Sequence, residues 1–247
     1  MLEAVLFDYG HTLLDFRFDE DVWLGCLRDM LTAAGGSPDR AEDLRGELRR
    51  RLEALTADPD DHAELVYADV VAEALAACGT PVGPELVRTA IEAEHRGWAS
   101  ARHLHSEAHR LLDEVRRRGL RIGIVSNTFD PPELLHADLA GDGVSERVDA
   151  IAFSSEVGRR KPAPEIYRAV LEALGVEPTN ALFVGDRVRE DIQGPASLGM
   201  RTCLVTYFRV DDGDHALADS VAASPAEVLE AVDRIMAAEA AGQMIDR

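Results

Sequence analysis

The chain has 247 residues, 46 % of them hydrophobic, and a formal net charge of −20. That length allows one large domain or two modest ones, with enough apolar content for a sizeable core. The negative charge argues against nucleic acid or an anionic membrane surface as partner, since both demand positive potential; a small anion must instead be held by local cations, a metal or backbone N–H groups.

Residues 4–7 (AVLF) read as a short buried strand that ends at Asp8 and runs into a polar turn through Thr12. From residue 19 to residue 98 the apolar spacing is helical, with Gly stops and Pro starts that mark about four helices and no strand-like alternation. Beyond that block, helices over 107–118, 132–139, 163–174 and 190–198 alternate with strands over 121–125, 149–153, 181–184 and 201–205. Residues 211–219 read as an acidic loop, and 225–238 as an amphipathic helix. Strands alternating with helices of this length predict an α/β fold, a doubly wound parallel sheet covered on both faces. The simplest architecture is an α/β core of residues 1–16 and 99–247, with an all-helical cap of residues 17–98 inserted after the first strand. No run approaches the roughly 18 apolar residues of a membrane span, and the first residues lack the basic start of a signal peptide, so a cytoplasmic location is expected. Cys26, Cys78 and Cys203 are far apart in sequence and read as reduced core residues rather than metal or redox groups.

In a doubly wound sheet, ligands bind at the carboxyl ends of the strands. The residues predicted there are Asp8, Tyr9, Gly10, His11 and Thr12, then Ser126, Asn127 and Thr128, then Lys161, then Asp186 with Glu190 and Asp191 one turn on. Lys161 is the single Lys among the 26 basic residues. Carboxylates, a hydroxyl, an amide and one compact ammonium suit phosphoryl transfer. A carboxylate can attack phosphorus, and a divalent cation suppresses the repulsion between the two anions. Magnesium prefers carboxylate oxygens and water, which Asp8 and Asp186 can supply; Ser126 and Lys161 can hold the phosphoryl oxygens.

VLFDYGHTLLD, IVSN, GRRKPAPEIY and FVGDRVREDIQGP resemble, in order and in strand context, the four motifs of the haloacid dehalogenase superfamily. The resemblance implies a Rossmann-like core with a cap after motif one and a Mg2+-dependent hydrolase of a small phosphorylated metabolite. It makes Asp8 the nucleophile, with Ser126 and Lys161 binding phosphate. Asn127 and His11 are placed near the substrate. The metal falls to Asp8, the Gly10 carbonyl and Asp186, with Asp191 (or its neighbour Glu190) as the second acid of motif four, supporting the metal or Lys161. A monomer or homodimer is expected, with no nucleic-acid or membrane partner.

The sequence departs from the family pattern at Gly10, where the second Asp of motif one, the usual general acid/base, is missing. His11 adjoins that position and is a candidate proton donor. Two alternatives arise from the departure: a weakly active or non-catalytic phosphate-binding member of the fold, or a metal-independent 2-haloacid dehalogenase. Phosphonate cleavage through a Schiff base is set aside, because residues 17–98 hold no Lys. His103, His105 and His109 lie close in sequence, but no Cys or acid completes a zinc-type set, so they read as polar residues near the return to the core.

Overall fold

The computed structural model describes residues 1–55 and 57–245. The chain divides into two compact units, one of Met1–Asp15, Leu104–Thr128 and His136–Arg247, the other of Phe16–His103 and Phe129–Leu135.

The first unit is built on a six-stranded sheet of β1 (Ala4–Phe7), β4 (Arg121–Ser126), β5 (Ala150–Phe153), β6 (Ala181–Gly185), β7 (Arg201–Val205) and β8 (Ser220–Ala222), in the order β5-β4-β1-β6-β7-β8. Every pairing is parallel. β1 and β6 are buried along their whole length, which is why each reads as an unbroken apolar run rather than an alternation. The helices of this unit are α5 (Ala108–Arg117), α6 (Pro132–Gly141, which begins in the other unit), α7 (Ser154–Val157), α8 (Pro164–Leu174), α9 (Gly194–Ser197) and α10 (Pro225–Ile245). Apolar side chains of α8, among them Ile166, Tyr167, Val170 and Leu171, pack with Leu6, Val125 and Phe183 into one core.

Chain order fixes where a ligand can go. From β1 the chain moves outward through β4 and β5, then returns to β6 on the opposite side of β1. The reversal leaves a crevice at the carboxyl end of β1, the place where open α/β sheets bind ligands. Phe7 is level with Ile124 of β4 and Val184 of β6, so the residues just past these strand ends share one rim.

The second unit is helical: α1 (Glu20–Ala33), α2 (Ala41–Leu55), α3 (Tyr67–Ala77) and α4 (Pro84–Gly97). Its core gathers Leu27, Met30, Leu44, Leu48, Val71 and Ile91. Glu94 is buried inside it and accepts a 2.6 Å hydrogen bond from the Tyr67 hydroxyl. Burial pushes the Glu94 carboxyl up to about 7 against that hydrogen bond. Phe16, Phe18, Trp23 and Trp98 form an aromatic cluster with centroids 5.3 to 5.8 Å apart, so the aromatics that open this unit pack on one another.

Several elements differ from the sequence expectation. Two short strands, β2 (Leu14–Phe16) and β3 (Arg102–Leu104), pair where the chain leaves and re-enters the core. β8 comes directly after the acidic loop. The helix expected over 190–198 begins as a π-turn, Val188–Gln193, before α9. The closing helix runs well past residue 238, to Ile245. Among the described residues no helix is long and apolar enough to cross a membrane.

Candidate active site

Asp8 sits just past β1, and its backbone N–H donates to the Val184 carbonyl at 2.9 Å, which continues the sheet by one residue and fixes the carboxylate at the rim. Thr12 sits beneath it, with the hydroxyl 3.5 Å from Asp8 Oδ2. Lys161 arrives on the loop before α8, just ahead of a cis Lys161–Pro162 peptide. Its ammonium donates to Asp8 Oδ1 at 2.6 Å and to Asp191 Oδ1 at 2.7 Å. Burial would discharge Lys161, but the carboxylates of Asp191 and Asp8 outweigh it and hold the ammonium charged. Burial likewise raises Asp8 despite the lowering effect of Lys161, with the Asp186 charge adding to the rise.

Asp186 and Asp191 come from the turn after β6. Asp191 is fully buried, while Glu190 is partly exposed; both line the cavity. Asp191 Oδ2 accepts from the backbone N–H groups of Asp186 at 3.0 Å and Arg187 at 2.9 Å, while Oδ1 takes Lys161. Asp191 therefore shapes the turn and aims the ammonium. Gly185 is required for this packing: a Cβ there would lie 2.6 Å from Asp191 Oδ2. Burial lifts Asp186 and Asp191 each to about 6; for Asp186 the Asp191 charge adds to the rise. Ligand oxygens of Asp8, Asp186 and Asp191 lie within 4.8 Å of one another, a buried three-carboxylate group able to hold a metal ion.

These side chains border a cavity of about 240 Å³, lined among others by Asp8, Gly10, His11, Ser126, Asn127 and Lys161. Ser126 ends β4. Asn127 lines the cavity and holds the Lys161 peptide with both ends of its amide: Nδ2 donates to the Lys161 carbonyl at 3.1 Å, and Oδ1 accepts from the Lys161 N–H at 2.7 Å. It clamps the peptide that carries the ammonium.

Gly10 has no atom within 4 Å of where a Cβ would stand, and its φ is not left-handed. Among the described residues, His11 is the non-glycine residue with positive φ, 57°, a conformation that costs on the order of 1 kcal/mol or more for an L-residue. Its Nδ1 is 3.6 Å from Asp15 Oδ1. Burial and the nearby Arg209 lower the imidazole, against the raising effect of Asp15.

Sequence reasoning missed Arg209, which lies beyond β7 and ion-pairs through Nε with Asp186 Oδ2. The carboxyl end of β7 lies beside that of β6, and Arg209 follows it by four residues, so its place past an apolar strand is the signal in the sequence. Arg160 and Arg187 also line the cavity. His105 and His109 form no metal set: His105 Nδ1 accepts from the Glu107 N–H at 3.0 Å, and His109 Nε2 meets the Asp142 carbonyl at 2.6 Å.

The switch at β1 thus leaves Asp8, Lys161 and the acidic turn after β6 together on one rim. Residues 2–199 match the haloacid dehalogenase-like hydrolase family, and the chain belongs to it. It is 35 % identical to a phosphoserine phosphatase of Thermus thermophilus over 62 % of this chain, which takes in only 58 % of that protein. With a glyceraldehyde 3-phosphate phosphatase of Methanopyrus kandleri it shares 26 % identity over 94 % of this chain and 97 % of the other. A 2-haloacid dehalogenase of Pseudomonas syringae has the same fold, with a TM-score of 0.68, 23 % identity and coverage of 95 % of this chain and 99 % of that one.

Proposed function

We propose that this protein hydrolyses a small phosphomonoester, with Asp8 as nucleophile and a divalent cation, Mg2+, as cofactor. The observation that carries this reading is the convergence of Asp8, Asp186 and Asp191 within 4.8 Å. Three buried carboxylates face two cations, the buried Lys161 and the partly exposed Arg209, which leaves a net negative charge, and oxygen donors of this kind suit a hard divalent cation. Asp8, Asp186 and the Gly10 carbonyl are the groups that would hold it, with Asp191 behind them. When bound, the ion supplies positive charge that lets two anions approach.

The chain's own residues do the rest. Lys161 draws the phosphoryl oxygens to Asp8 and, with the Ser126 hydroxyl, meets the charge that grows on them as Asp8 attacks phosphorus. Asn127 and Asp191 fix the lysine from opposite ends, so little reorganisation is needed at the moment of reaction. The alkoxide leaves, and water then attacks the aspartyl phosphate to release phosphate and restore Asp8. No carboxyl stands at position 10 to give or take the proton in either step. His11, adjacent to position 10 and with Asp15 at 3.6 Å, is the candidate for that role.

The matched phosphatases of similar overall length support a phosphorylated metabolite as substrate. A metal-independent dehalogenase accounts less well for the three-carboxylate group. The test is release of phosphate from an aryl phosphate with and without Mg2+, beside halide release from 2-chloropropionate. Magnesium-dependent phosphate release is expected. Metal-independent halide release would transfer the protein to the dehalogenases, and neither activity would make it a phosphate-binding member of the fold.

A further inference from the structure

The loop after β7 brings a second cation to the carboxylate group. Arg209 pairs with Asp186, whose side chain is only 1 % exposed. Among the described residues neither Asp186 oxygen completes a well-formed hydrogen bond, so the ion pair is what meets its charge. The pairing rests on a built support. The Tyr207 hydroxyl donates to the Thr12 carbonyl at 2.6 Å, tying the loop to the turn after Asp8. The Tyr207 and Phe208 rings pack against His105 at 5.2 and 5.3 Å, and the His105 N–H donates to the Leu13 carbonyl at 2.9 Å.

Asp186 is thus claimed twice, by Arg209 and by any divalent ion that uses the three carboxylates. Two cations on one carboxylate repel, and in a buried site that repulsion is large. Lys161 cannot yield, since its side chain is 3 % exposed and pinned at 2.6 and 2.7 Å. Arg209 can: its side chain is 31 % exposed, and it lines the cavity that Asp8, Ser126 and Lys161 share.

We propose that Arg209 is an exchangeable counter-cation, which holds Asp186 until a divalent ion takes that carboxylate and then turns to the phosphate group entering the same cavity. The proposal rests on the metal-binding reading above. It makes metal and phosphate binding reciprocal: the ion frees Arg209 for phosphate, and phosphate draws Arg209 off the metal ligand.

The test is calorimetric titration of the full chain with Mn2+, with and without inorganic phosphate, for wild type, Arg209→Met and Arg209→Lys, each checked for fold by circular dichroism. Without phosphate, Arg209→Met should bind Mn2+ about tenfold or more tightly than wild type. Phosphate should tighten Mn2+ binding in wild type and do so much less in Arg209→Met. Arg209→Lys, which keeps the charge, should stay close to wild type. Equal or weaker Mn2+ binding by Arg209→Met, with wild-type binding intact, overturns the exchange and leaves the metal site standing. A wild type that binds no Mn2+ overturns both. Should Arg209→Met fail to fold, Tyr207→Phe loosens the same loop and should shift Mn2+ affinity upward by a smaller factor; unchanged affinity in that variant refutes the proposal.

Discussion

Replacing Gly10 by Asp puts a carboxyl at the position where the motif-one pattern has its second Asp. The structure makes the change feasible: nothing lies within 4 Å of the new Cβ, and the backbone there is not left-handed. Gly10 lines the cavity with Asp8 and Asp191, whose negative charges raise the added carboxyl's affinity for a proton and so favour the form that a general acid needs. General acid–base catalysis is typically worth ~10²–10⁴-fold, and a group set into an untuned site should recover the low end. We therefore expect kcat/KM for an alkyl phosphate such as glycerol phosphate to rise ~10-fold or more, about 1.4 kcal/mol of barrier. An aryl phosphate, whose leaving group departs without a proton, should change less than ~2-fold. The assay is the ratio of the two kcat/KM values in wild type and variant at saturating Mg2+, with fold verified by circular dichroism. A folded Gly10→Asp with an unchanged ratio, together with a His11→Ala that loses alkyl but not aryl turnover, would refute the reasoning and give the proton-transfer role to His11.

Three further outcomes are expected. Lys161→Arg should lower kcat by ~10²-fold or more despite equal charge, because a planar guanidinium cannot fit between Asp8 and Asp191 at 2.6 and 2.7 Å; steady-state kinetics checks this. Asn127→Ala frees the Lys161 peptide and should cost ~10-fold or more in kcat, with little change in melting temperature if the amide serves position rather than folding. Glu94, at about 7 in the fold against an ordinary 4.5, binds its proton more tightly folded than unfolded. Its contribution to stability is full below pH ~4.5 and is lost as pH rises through ~7, at most ~3 kcal/mol. Melting temperature without added metal should fall over that window, and Glu94→Gln should flatten the fall.

The central strands were legible because a strand buried on both faces is written as a continuous apolar run, as in AVLF and ALFVG. β2, β3 and β8 were not, since three residues carry no period and SVA at a sheet edge has no strand composition. The π-turn at Val188–Gln193 shows in no apolar spacing, because its i→i+5 register matches neither helix nor strand. Phe129–Leu135 comes after motif two in the chain but packs with the helical unit, where the Phe129 ring lies 4.6 Å from Tyr67. In the site, the acids and Lys161 stood out as polar residues closing apolar strands. The role of Asn127 did not, because a residue at a strand end can face a ligand or a neighbouring loop, and only the path of residues 159–162 decides which. Arg209 was hidden for a similar reason: it is one Arg among many, 23 residues beyond Asp186 in the chain, and its meaning comes from the loop that folds back onto Thr12.

In the proposed mechanism Asp8 carries the phosphoryl group. Rapid acid quench during the first turnover of an aryl phosphate, with peptide mass spectrometry of the quenched protein, tests it most directly. One phosphoryl group is expected on the peptide that contains Asp8, and neither phosphopeptide nor turnover in Asp8→Asn. A phosphoryl group on any other residue, or steady-state activity of a folded Asp8→Asn above ~1 % of wild type, would contradict it.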